Sequence, residues 1–144
     1  MKILGLVVVA LLIAGFGGFF FLAQKSKAGS PPGLVDGKLA PCPASPNCVS
    51  SEEGTDEAHR VAPLPISAWD ALPDLIAAQG GGVVDLRGDY IAAEFSTKLM
   101  GYVDDVEFRK GETQTHVRSA SRVGRSDFGA NAKRVEALRA ALKE

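Results

Sequence analysis

The stretch HVRSASRVGRSDFGAN, His116 to Asn131, carries three arginines, three serines and one aspartate where a strand-like run gives way to a helix-like one. Two chemistries suit such a set. Arginine forks beside the open amides of a helix N-terminus attract anions, phosphate above all. On that reading His116, Arg118, Arg122 and Arg125, with Asp105 from the preceding run GYVDDVEFRK, form a candidate anion site. The other reading is structural. An irregular strand-to-helix junction leaves backbone amides and carbonyls without ladder partners, and hydroxyls, Asp127 and guanidinium groups can satisfy them. Asp127 favours this second reading, because at the helix start it can itself occupy the position an anion would take. Both stand at this point, with the network preferred.

Strand alternation sorts the side chains further. Tyr102, Asp104, Val106 and Phe108 share one face, and Val103, Asp105, Glu107 and Arg109 the other. In the next strand Thr115, Val117, Ser119 and Ser121 alternate with His116, Arg118, Ala120 and Arg122. The apolar members mark the first set of each pair as the helix-covered face. The second sets line up Asp105 and Glu107 with His116, Arg118 and Arg122, where cross-strand pairs stabilise a sheet by about 0.2–1 kcal/mol each. Asp104, Ser119 and Ser121 fall on the apolar face, so Asp104 needs partners, from hydroxyls, amides or Arg125.

Recognisable catalytic patterns are missing. There is no G-x-S-x-G elbow, and His59 and His116 stand in no triad order. Asp104 and Asp105 are adjacent in a strand and point to opposite faces, which makes a poor acid/base pair. The GGG at Gly80–Gly82 precedes a strand, so it is no nucleotide loop. Two histidines and two cysteines without C-x-x-C spacing give only a weak metal signal, and no cofactor is implied.

The elements that must hold these residues follow from periodicity. SAWDALPDLIAAQG reads as a helix with Ser67 as N-cap candidate, Gly80 as its stop, and Pro73 forcing a kink or a late start. VVDLRG and DYIAAEFSTK form a hairpin turning near Gly88–Asp89. GYVDDVEFRK and TQTHVRSASR supply a third and a fourth strand around Gly111–Glu112. SDFGANAKRVEALRAALKE is a final helix, capped by Ser126 or Asp127, with Asn131, Val135, Leu138 and Leu142 on one face. The expected fold is α+β: a four-stranded antiparallel meander with two helices covering one face.

A single N-terminal transmembrane helix is expected before it. Ile3 to Ala23 is an uncharged apolar run of 21 residues, and a hydrocarbon core needs about 20 in a helix. The run exceeds a cleavable signal core, and no A-x-A site follows closely. Lys2 on one side against Lys25 and Lys27 on the other gives no orientation. Of 16 Lys and Arg, these three flank the run. The remaining 13 face 17 Asp and Glu, a net of −4, which excludes a general nucleic-acid binder. The expected organisation is an anchor over 1–24, a flexible Gly/Ser/Pro/Lys linker over 25–39 and a folded domain over 40–144. Cys42 and Cys48 in PCPASPNCVSS can close a small loop, and an exported domain favours their oxidation to a disulfide.

CPASPNCVSS, HRVAPL, GYVDDVEF and VRSASRVGRSDFGANAKRVEALRAAL, in that order, resemble the domain of unknown function 1499 family. The resemblance spans about residues 40 to 142. It implies a membrane-associated role and no known chemistry. Together with the apolar start, it leads to the expectation of a single-pass protein of the bacterial inner membrane, its domain facing the periplasm and its 3–23 segment in the bilayer. The expected role is a non-enzymatic binding or scaffolding module, whose partner is an anionic small molecule or another membrane protein. The rival expectation is a hydrolase or transferase acting on an anionic envelope metabolite through His116, Arg118, Arg122 and Asp105.

Overall fold

The computed structural model describes residues 2–142. The apolar run forms α1 (Lys2–Lys27), exposed along almost its whole length, with Ala23 and Ser26 buried near its C-terminal end. It is long and apolar enough to cross a membrane. A two-stranded hairpin follows, β1 (Leu34–Val35) and β2 (Lys38–Leu39). Asp36 and Gly37 both have positive φ at its turn, the combination a tight primed turn requires.

The main sheet is mixed into the chain more widely than the meander predicts. β5 (Gly82–Leu86), β6 (Tyr90–Ser96), β7 (Val103–Lys110) and β8 (Gln114–Ser121) are the four expected strands. The sheet has six strands rather than four, because β3 (Cys48–Ser50) and β4 (Leu64–Pro65) both pair antiparallel with β8 along its outer edge. These are short pieces of a proline-rich lead-in, where neither alternation nor length marks a strand. The disulfide between Cys42 and Cys48 ties that lead-in to β3.

One face of the sheet carries the core. Ile91, Ala93, Phe95, Val106, Phe108 and Val117 meet Ala68, Trp69, Leu72 and Ile76 from one side of the chain and Val135 and Leu138 from the other. Residues Ile66–Ala71 form a 3-10 turn that runs into α2 (Leu72–Ala78), with Pro73 in its first turn. The late start wins over the kink, since proline fits a helix's first turn and not its interior. Ser67 therefore caps nothing; the turn starts after Pro65. α3 (Ala130–Ala141) starts later than its sequence pattern suggests and buries Asn131, Val135 and Leu138. Gly81 has a packing role: a Cβ there would stand 2.5 Å from the Phe95 ring.

The opposite face of the sheet is covered as well. The segment read as a flexible linker contains the last turn of α1 and the β1–β2 hairpin, and it lies across this face. Leu39, Tyr90 and Ala92 form a second small core there, with Leu34 packed on it. The domain is thus three layers: helices, sheet, and the stretch that leads from α1 into the sheet.

Candidate functional site

The charged face of β7 and β8 is assembled as alternation predicts: Glu107 lies opposite Arg118, Arg109 opposite His116 and Asp105 opposite Ala120. Its groups are buried under the lead-in segment. Glu107 is fully buried, and Asp105, His116 and Arg118 are nearly so. Burying charge is costly unless each group is paired and hydrogen-bonded, and here the pairs are made.

Glu107 accepts from Arg118 Nη1 at 2.9 Å, from the Tyr90 hydroxyl at 2.7 Å and from the Gly33 backbone N–H at 2.9 Å. Burial pushes its carboxyl up from the ordinary range against the pull of those three donors. Burial and then the Glu107 carboxylate raise the Tyr90 hydroxyl far above its usual value, so it remains a donor. The Gly33 contact is the hinge of the arrangement: it fastens the hairpin segment onto the sheet.

Arg122 closes the end of the face nearest α1. Its Nε donates to both oxygens of Asp105 at 3.0 and 2.9 Å, its Nη2 to Asp105 and Glu94, and its Nη1 to the Ser26 carbonyl at 3.0 Å. Ser26 in turn exchanges two hydrogen bonds with the Val103 backbone, at 3.1 and 2.8 Å. At the other end Arg109 forks onto Glu52 at 2.6 and 3.0 Å. Glu52 also accepts the Leu39 N–H at 3.1 Å and lies 3.7 Å from His116 Nδ1. Burial alone would raise the Glu52 carboxyl; Arg109, the Leu39 amide and His116 outweigh it and hold the carboxyl below its usual value.

The junction between β8 and α3 is a second network. Asp127 accepts from the backbone N–H groups of Gly129 and Asn131 at 3.0 and 2.8 Å, and from Asn131 Nδ2 at 2.8 Å. Burial opposes its ionisation, but those donors prevail and the carboxyl lies below its ordinary value. Asp127, not Ser126, serves the helix start. Ser119 donates to Asn131 Oδ1 at 2.6 Å, and Asn131 Nδ2 reaches Ser121 and the Asn47 carbonyl. Asp104, the carboxylate on the apolar face, is matched by Arg134 at 2.8 Å rather than by Arg125. Arg134 also reaches Ser119 and Asn131 and stacks 4.7 Å from the centre of the Phe95 ring.

The five residues of the candidate anion site are therefore divided. His116, Arg118, Arg122 and Asp105 share one buried face, with Arg118 and Arg122 engaged by carboxylates. Arg125 lies apart on an exposed loop. Arg118 Nε is a buried donor without a partner among the described residues, as is the Thr115 hydroxyl. His59, the other histidine, is held by Asp56 at 2.8 Å through Nδ1 and faces the Ser45 carbonyl at 3.1 Å through Nε2. Asp56 foremost, then Ser45, raise its pKa above the usual 6.5. An imidazolium fills both positions as a donor. Among the described residues no three His, Cys, Asp or Glu side chains are placed to hold a metal ion.

Glu52, Tyr90 and Arg134 escape sequence reasoning. Glu52 sits in the irregular lead-in with no period to place it, and Tyr90 at a turn. Arg134 had a usable signal, since it lies one helical turn beyond Asn131 and borders the buried stripe.

No curated protein and no solved structure matches the chain. The family model for proteins of unknown function DUF1499 matches residues 38–142, which takes in β2 of the hairpin, the whole sheet and both covering helices. The chain belongs to the DUF1499 family.

Proposed function

We propose that the protein is a membrane-anchored, extracytoplasmic module that binds or scaffolds a partner at the membrane surface. In this reading the anchor covers 1–24, and the segment 25–39, packed on the sheet, joins it to the domain proper over 40–144. One observation carries this reading: the end of α1 is built into the domain. Within the apolar run Ala23 is buried and the Phe19 carbonyl accepts from the Tyr102 hydroxyl at 2.9 Å; just beyond it Ser26 is fully buried and pairs with Val103, and its carbonyl receives Arg122. A signal sequence removed after export has no reason to be part of the fold it leaves behind. The Cys42–Cys48 disulfide supports an oxidising compartment, the periplasm if the membrane is a bacterial inner membrane. The paired state of the charged face supports a structural rather than a reactive use of its residues.

Two experiments test the reading. A topology reporter fused after Glu144 should be active only on the extracytoplasmic side; activity only in the cytoplasm rejects the orientation. A hydrolase and transferase screen on envelope phosphate compounds, run on the full chain and on His116→Ala, addresses the module itself. Turnover that vanishes with His116 overturns the module in favour of an enzyme.

A further inference from the structure

We infer that the pole of the domain next to α1 is a phospholipid-binding surface: loops Thr97–Gly101 and Val123–Gly129 sit in the membrane interface, and a lipid chain from the same leaflet fills the cleft between them and α1. The inference rests on the proposed anchor and deepens it.

Depth places this pole near the headgroups. The Tyr102 hydroxyl donates to the Phe19 carbonyl at 2.9 Å. Phe19 lies four residues before the end of the apolar run, about 6 Å along the helix axis. A run that just spans a hydrocarbon core of about 30 Å has no slack to lift Phe19 out of it. Groups packed beside Phe19 therefore lie at or below the headgroup level. The loop tips are apolar and exposed. Leu99 is 92% exposed and Phe128 91% exposed, one at each loop tip. Phe128 has a φ of 53°, a conformation costly for a bulky residue, and no hydrophobic core holds it there. Apolar tips held out in this way suit lipid and not water.

A cleft lies between the loops and α1. It measures about 370 Å³ and is lined by Phe19 and Leu22 of α1 with Tyr102, Val103, Val123 and Phe128 among its other walls. Phe19 and Leu22, which form its α1 wall, belong to the apolar run, and Asp104 and Asp127 line it on the domain side. Cations surround the tips. Lys98 adjoins Leu99, Arg125 lies three residues from Phe128, and Lys25 and Lys27 stand at the helix end, all exposed. Apolar tips with cations beside them are the signature of a surface seated among phosphate headgroups. Arg125, which has no place in the buried charged face, gains one here.

The test uses the full chain in vesicles of phosphatidylethanolamine and phosphatidylglycerol. Spin labels are attached to Leu99→Cys, Phe128→Cys, Leu12→Cys in the span and Glu112→Cys at the opposite end of the sheet, with the native disulfide left oxidised. Collision with oxygen reports lipid, and collision with a water-soluble nickel chelate reports solvent. The expected result is that positions 99 and 128 behave like 12, favouring oxygen, while 112 favours nickel. If 99 and 128 follow 112 while 12 still favours oxygen, the anchor stands and the lipid surface is overturned. If both reagents are excluded at 99 and 128, a second copy of the chain covers the loops, and the lipid assignment is again overturned. Nickel access at position 12 removes the anchor and this inference together.

Discussion

Arg122 joins three elements, β7 through Asp105, β6 through Glu94 and α1 through Ser26. Arg122→Ala leaves Asp105 buried without its cation and cuts the tie to Ser26. Removing one partner of a buried pair costs about 3–5 kcal/mol, so the thermal midpoint of the full chain in detergent should fall clearly. Arg125→Ala, on an exposed loop, should leave it within about 0.5 kcal/mol. Equal midpoints for the two variants would refute the network. Two titrations follow from the directions of the shifts. His59 has a native pKa raised above 6.5, so its contribution is fully present below that value and lost as pH rises through the native one. Urea midpoints from about pH 6 to about pH 9 should decline for the parent and decline less for Asp56→Asn. Asp127 is shifted the other way, below 3.8; its contribution holds above that value and disappears as pH falls through the lowered native one. Asp127→Ala should therefore melt earlier near neutral pH and converge with the parent in strong acid.

At the scale of elements, the disulfide and the tight glycine are the simplest levers. A loop as short as Cys42–Cys48 stabilises by about 2–3 kcal/mol in the chain-entropy account, and reduction should lower the urea midpoint by a corresponding amount. Gly81→Ala places a methyl group against the Phe95 ring, on whose face Arg134 stacks. Overpacking of this kind costs about 1–3 kcal/mol, and a parent-like melting curve would show that the ring can move aside. The elements differ in how far the sequence reveals them. β6, β7 and β8 alternate over seven or eight residues, and period two also sorts Glu107 and Arg118 correctly onto one face. β3 and β4 have three and two residues, and only their long-range partner β8 makes them strands. The β1–β2 hairpin is hidden for the same reason. Glycine, proline and lysine in that segment read as flexible linker, yet the Gly33 amide on Glu107 and the Leu39 amide on Glu52 fasten it down. Arg134 rather than Arg125 answers Asp104, because the helix starts only at Ala130 and turns a different arginine inward.

For the whole molecule, the sheet is a partition. One face packs on α2 and α3 through an apolar core. The other packs on the chain's own lead-in through paired charges, so that the anchor's end, the hairpin and the disulfide loop are fixed to the domain rather than tethered to it. That construction makes the end of α1 part of the fold, which requires α1 to be retained. The most direct test is the intact mass of the protein recovered from membranes after alkaline carbonate extraction. The expected result is a species in the membrane pellet that still contains residues 2–27, at the 15.1 kDa of the 144 residues. A shorter species lacking that segment, released to the soluble fraction, would contradict it.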